Sequence, residues 1–165
     1  EMIYLESSGK IYVAHGGSLT YAADFSVIES TAIGSTGIEE IVVASNTSNG
    51  IIIPGTSFGG VTGGFGVRKL LYNTDQSRIF AVYDAFDFSS NIKEINITNA
   101  TVDATPLLAE NATAFGDSVM ALDGYIYQIN RSSENPSIDI YSPDTKSLIK
   151  SIATELPLQS ITVVK

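Results

Sequence analysis

Cysteine and tryptophan are absent from these 165 residues, histidine occurs once, and charged side chains make up only 16%. Without cysteine there is no disulfide framework, no thiolate metal site and no cysteine nucleophile. A single histidine, His15, excludes a multi-histidine metal site. No apolar run approaches the roughly 20 residues that a membrane-spanning helix requires, so no membrane span is expected. The opening stretch EMIYLESS has neither a basic n-region nor an apolar h-region. A mature or excised chain, from which any signal peptide has gone, is the expectation. Basic residues are scarce too: nine Lys and Arg against eighteen Asp and Glu give a net charge of −9 and a pI near 4.4. An acidic surface repels phosphate backbones, which argues against nucleic acid as a partner. Arg68-Lys69 is the only adjacent basic pair.

What is present is strand and turn vocabulary. Hydrophobic residues reach 44%, enough to bury a core against chain entropy. The apolar set leans to Ile, Val, Tyr and Phe, and the polar set to Ser, Thr, Asn and Asp, as in β-proteins with tight turns. Five short runs open on a polar or small residue and then turn apolar: MIYL (2–5), EIVVA (40–44), KLLYN (69–73), SVMAL (118–122) and SITVV (160–164). Their near-continuous apolar character predicts inner strands buried on both faces. Most are followed by a second strand, such as GKIYVA (9–14), GIIIPG (50–55), SRIFAVY (77–83) or GYIYQI (124–129). Third and fourth strands are read at 18–23, 26–33, 91–97, 101–108, 137–142 and 147–154. The connecting segments are rich in Gly, Ser, Asn, Asp and Pro, and no segment sustains a helical period.

These units of roughly 40 residues, each a four-stranded meander, match the pattern of propeller blades. YNTDQSRIFAVY (72–83) and DGYIYQIN…SIDIYSPDTKSLIKSI (123–152) resemble blades of the YVTN, quinoprotein-like and WD-repeat β-propeller group. The resemblance covers residues 1–45 and 67–165. The quoted blades lack the terminal Trp-Asp pair of WD repeats. The Trp-rich docking motif of quinone-dependent enzymes cannot exist in a chain without tryptophan. The expected fold is all-β, with about four propeller-like four-stranded antiparallel blades in an incomplete or open ring. Units fall at about 1–40, 41–69, 70–118 and 119–160, with a terminal strand at 161–165. The second unit is short, with the glycine-rich GTSFGGVTGGFG (55–66) in place of outer strands. Beginning and ending on inner-type strands, at Ile3 and Ile161, leaves one strand surplus, and a free edge is a template for another chain.

Five N-x-[ST] acceptors stand at Asn46, Asn96, Asn99, Asn111 and Asn130, more than chance would place among nine asparagines. They mark candidate N-glycosylation sites and an extracellular or cell-surface location. Asp84 and Asp87 flank a loop, YDAFDFSS (83–90), and are the weak candidates for a cation site. They lack the alternating ligand run of a calcium loop, and read first as solvated loop acids. His15 reads as structural, because no G-x-S-x-G turn presents a nucleophile to it. The glycine stretch lacks the Lys-Ser/Thr of a phosphate loop and is assigned to close backbone approach. Glu39 and Glu40 are adjacent on a strand and point to opposite faces. Tyr12, Tyr21, Phe80, Tyr83, Tyr125, Tyr127 and Tyr141 alternate along strands, which favours packing over a carbohydrate platform.

The expectation is a non-enzymatic extracellular scaffold, assembling with copies of itself or another surface protein, without cofactor and open to covalent glycans. Two alternatives stand beside it. A glycan- or peptide-binding propeller needs aromatic and acidic residues converging at one mouth. A partial propeller glycosidase or lyase needs a carboxylate cluster near the axis.

Overall fold

A computed structural model describes residues 1–24, 26–30, 35–58, 66–84, 90–108, 116–132 and 134–163. Among them no α-helix occurs; strands, turns and two short 3-10 segments account for the regular structure. The described residues form fourteen strands. The first sheet is β1 (Met2–Leu5), β2 (Lys10–His15), β5 (Gly37–Val42) and β6 (Thr47–Pro54), in that spatial order. Strands β3 (Leu19–Tyr21) and β4 (Val27–Ser30) form a separate hairpin. The second sheet runs β7 (Val67–Tyr72), β8 (Ile79–Asp84), β9 (Ser90–Asn96) and β10 (Thr101–Val102). The third runs β11 (Ser118–Met120), β12 (Ile126–Asn130), β13 (Ser137–Ser142) and β14 (Ser147–Ala153). All pairings are antiparallel.

Three four-stranded sheets therefore stand where the sequence predicted four units. The difference arises in the first 54 residues. EIVVA reads as the inner strand of a new unit. Instead β5 lies beside β2, with Tyr12 opposite Glu40 and Ala14 opposite Ile38. Pairing with the apolar β2 places Ile38 in the core with no exposed surface. The intervening β3–β4 hairpin, read as the third and fourth strands of the first unit, sits outside the sheet. The short second unit is in fact the outer half of the first sheet. The terminal run at Ile161 also departs from expectation: residues 154–163 join no sheet. This segment leaves β14 with the Thr154 N–H donating to the Pro136 carbonyl at 2.9 Å, and returns to β11, where the Ile161 N–H donates to Asp117 Oδ2 at 3.2 Å.

The second sheet is central, and its pleat explains why. Leu70, Ile79, Ala81, Tyr83 and Ile95 point one way and join Ile3, Leu5, Tyr12, Ile38 and Ile53 of the first sheet in one core. Leu71, Phe80, Val82 and Ile92 point the other way and pack with Ile126 and Tyr141 of the third sheet, and with Leu107 and Leu108. Leu107 extends the sheet edge, its N–H donating to the Ile92 carbonyl at 2.7 Å. The first strands β1, β7 and β11 come side by side, so the sheets stack in chain order like leaves from a common inner edge. No closed ring or barrel forms among the described residues.

Polar ties fix the stack. Between the first two sheets, Gln76 accepts from the Glu6 N–H and donates to the Tyr4 carbonyl, both at 3.1 Å. Between the second and third, Lys69 meets Asp117 at 3.0 Å, Lys146 meets Asp103 at 2.6 Å, and Arg68 donates to the Gly116 carbonyl at 2.8 Å. Arg78 holds Glu94 through two nitrogens at 2.8 Å and reaches Asp144 and the Pro143 carbonyl of the β13–β14 turn. Close approach decides Gly116: a Cβ there would lie 1.7 Å from the Ile129 carbonyl oxygen.

Candidate functional site

Two kinds of surface stand out: a cleft between the first and second sheets, and the outward faces of the first and third.

The cleft, of about 720 Å³, opens at the turn end of the stack and is lined by Lys10, Tyr12, Glu40, Gln76, Glu94 and Asp103 among others. Its carboxylates are already engaged. Glu40 accepts from Lys10 Nζ at 3.0 Å, the Tyr12 hydroxyl at 3.0 Å and Asn49 Nδ2 at 2.6 Å. Burial works to raise the Glu40 pKa, but these hydrogen bonds outweigh it and hold it below the usual carboxylate value. Lys146 and the Thr105 N–H likewise hold Asp103 low, and Glu94 is occupied by Arg78. A general acid in glycoside cleavage requires a raised carboxyl pKa; Glu40 and Asp103 are shifted the other way.

The outward face of the first sheet follows from register. Because Ile3, Tyr12, Ala14, Ile38 and Ile53 face the core, their neighbours face out. Met2, Val13, Glu39 and Ile51 form one cross-strand row; Tyr4, Ile11, Ile41 and Ser48 form the next. Six of these eight side chains are apolar, and none is fully buried. Glu39 is satisfied within the sheet: His15 Nε2 lies 2.6 Å from one carboxylate oxygen and the Ser48 hydroxyl donates to the other. The Ser48 and His15 contacts hold its pKa below the usual value.

The third sheet repeats the arrangement with a twist in its polarity. Its inward face carries an apolar row, Met120, Ile126 and Tyr141, and a polar one, Ser118, Gln128, Asp139 and Ser151. The polar row is closed on itself: Ser118 donates to Gln128, and Ser151 donates to Asp139 at 2.6 Å. The outward face bears Val119, Tyr127, Ile140 and Lys150 in one row and Ile129, Ile138 and Ile152 in another. The outward side is thus the more apolar of the two. Of these residues only Ile129 is fully buried, while Ile152 is 42% exposed.

The residues singled out from sequence fall as follows. His15 ends β2 beside Glu39, and Glu39 and Glu40 do point to opposite faces. Tyr12, Phe80, Tyr83 and Tyr141 lie in the cores, whereas Tyr21 and Tyr125 are exposed. Asp84 ends β8 opposite Ser90; Asp87 and Asn111 lie outside the described residues. Asn46, Asn96 and Asn99 sit exposed at strand ends and turns, with Asn96 Oδ1 accepting from the Asn99 N–H at 3.0 Å. Asn130 is half-buried at the end of β12, and its Oδ1 accepts from the N–H of Ser132, the hydroxyl residue of its own sequon, at 3.0 Å. None of these asparagines lies in the outward rows just described.

The paired outward faces were not singled out from sequence, although the signal was there. KIYVAH and YIYQIN are apolar at both alternations, which requires a partner on each side. No helix among the described residues is long and apolar enough to cross a membrane. Set against known proteins, the sequence matches no family model and no curated protein.

Proposed function

We propose that this chain is a non-enzymatic structural or interaction module of propeller-like build, working outside the cell by associating with copies of itself. One observation carries the reading: the first and third sheets each turn an apolar face outward. Such faces are the kind that the central sheet buries on both sides. The larger apolar patches on a protein surface, of roughly 300 Å² and more, are often functional contact sites. The engagement of Glu40, Glu94 and Asp103 by cations supports a structural rather than a catalytic use of the cleft. The exposed sequons Asn46, Asn96 and Asn99 support a glycosylated, extracellular setting, with glycans at strand ends that leave the outward faces clear.

Sedimentation equilibrium from micromolar to millimolar protein tests the reading. Mass rising above 17.5 kDa with concentration is the expected result; a monomer throughout would overturn it. A second reading rests on the cleft itself. Its size lies within the range of small-ligand sites, and its exposed turn-end mouth suits an oligosaccharide or short peptide. Titration against a glycan array with Tyr12→Phe as the comparison variant tests that alternative, and binding weakened by the substitution would favour it.

A further inference from the structure

The outward faces of the first and third sheets differ in one respect that bears on how copies meet. The first carries a carboxylate, Glu39, in the row Met2–Val13–Glu39–Ile51. The third carries an ammonium, Lys150, in the row Val119–Tyr127–Ile140–Lys150. Like faces pressed together would bring two Glu39 or two Lys150 side chains into one interface, within chains that already repel at a net charge of −9. Unlike faces bring Lys150 to Glu39, which His15 and Ser48 already hold, inside a mostly apolar contact,.

The stacking inside the chain has the same sense. The first sheet meets one face of the second, and the second meets the third with its other face. A third-sheet face on a first-sheet face continues that order. We propose that copies of this chain join head to tail, the outward face of the third sheet on one copy covering the outward face of the first sheet on the next. This rests on the self-association reading above and specifies its geometry. The contact is heterologous, so repetition gives a ring if the rotation closes and an open filament if it does not.

Size sets the strength. Four strands about 4.8 Å apart and some five residues of about 3.3 Å each give a face of roughly 300 Å². Even allowing for side-chain relief, the area buried falls below the about 1,200 Å² at which stable complexes begin. The single contact is therefore weak and concentration-dependent.

The absence of native cysteine makes disulfide trapping a clean test. Val13→Cys and Ile140→Cys chains are mixed at millimolar concentration in a glutathione redox buffer, beside each alone and beside Ser7→Cys, an exposed turn position. Mixed Val13–Ile140 dimers are expected at least tenfold faster than either like pair or the turn control, and the double variant should give a ladder. Lys150→Glu should slow the mixed reaction several-fold. Met2→Cys with Ile152→Cys, at 65% and 42% exposed positions, repeats the test without touching half-buried sites. Like pairs forming as fast as mixed ones would overturn the head-to-tail geometry and leave self-association standing. So would wild-type assembly without trapping at any of these four positions. No trapping above the turn control, with wild type monomeric by sedimentation, would overturn both.

Discussion

The central and third sheets are built from the same four-stranded antiparallel meander, and their strands are similarly apolar. Their surroundings differ. Val82 and Ile92 of the central sheet have no exposed surface, because another sheet and Leu107–Leu108 cover them. Ile138 and Ile140 hold equivalent positions on the outward face of the third sheet and are only half-buried. The strands carry the same apolar pattern; one sheet has two neighbours and the other has one. Among the described residues, the outward faces of the first and third sheets are the ones that no second sheet covers. The inward face of the third sheet sharpens the point. It tolerates a Ser118–Gln128–Asp139–Ser151 row, which pays its own desolvation through internal hydrogen bonds,.

The strongest way to break this comparison is truncation on each side. Phe80→Ala, in the buried central sheet, should cost about 3–5 kcal/mol in urea unfolding. Ile140→Ala, measured at micromolar concentration where copies are separate, should cost about 1 kcal/mol or less, since less apolar area leaves the interior. Equal costs would mean that the outward face of the third sheet is already covered within one copy.

Gly116→Ala probes the inner edge of the third sheet, at the residue whose carbonyl accepts from Arg68 of the second. The added Cβ would meet the Ile129 carbonyl oxygen at 1.7 Å, and backbone must move. A loss of about 2 kcal/mol or more is expected in the same unfolding assay. A neutral result would show that β12 can shift away from Gly116 at little cost.

A smaller effect is expected from the Lys69–Asp117 pair, whose side chains are about one-fifth exposed. A double-mutant cycle with Lys69→Met and Asp117→Asn should return a coupling of about 1 kcal/mol. A coupling near zero would leave the Arg68–Gly116 hydrogen bond and the apolar contacts to hold the second and third sheets together at this end.

Acid should loosen the third sheet before the central one. Burial works to raise the Asp117 pKa, but the Lys69 contact and the Ile161 N–H outweigh it and leave it lowered. Asp103 is lowered by Lys146 and the Thr105 N–H. Groups with depressed folded-state pKa values stabilise fully above their unfolded value, about 4 for aspartate. That contribution is lost as pH falls through the folded value. Both acids tie the second sheet to the third. Amides of β12 should therefore lose hydrogen-exchange protection below about pH 4 sooner than those of β8, and simultaneous loss in the two strands would contradict this.

The all-β class was legible because the apolar residues are β-branched or aromatic, alternate with period two, and are cut by Gly, Asn, Asp and Pro. Those are local properties of the chain, and they located the strands now seen as β1, β2, β7, β8, β9, β12, β13 and β14 with small shifts. The opposite aims of Glu39 and Glu40 followed from the pleat alone. Which strand lies beside which was not local. EIVVA has the composition of an inner strand, yet β5 joins the first sheet as its third strand because β2 offers it an apolar edge and the intervening residues turn out as a hairpin. The single histidine and the glutamate beside it became a contact only through the β2–β5 register. The head-to-tail faces needed that same register, because a strand pattern shows that two sides are apolar without showing which side is covered. Sequence by itself determined strands, turns, acidity and the absence of cysteine chemistry. Tertiary structure decided the number of sheets, their order and the uncovered faces, since these depend on pairings between residues far apart in the chain.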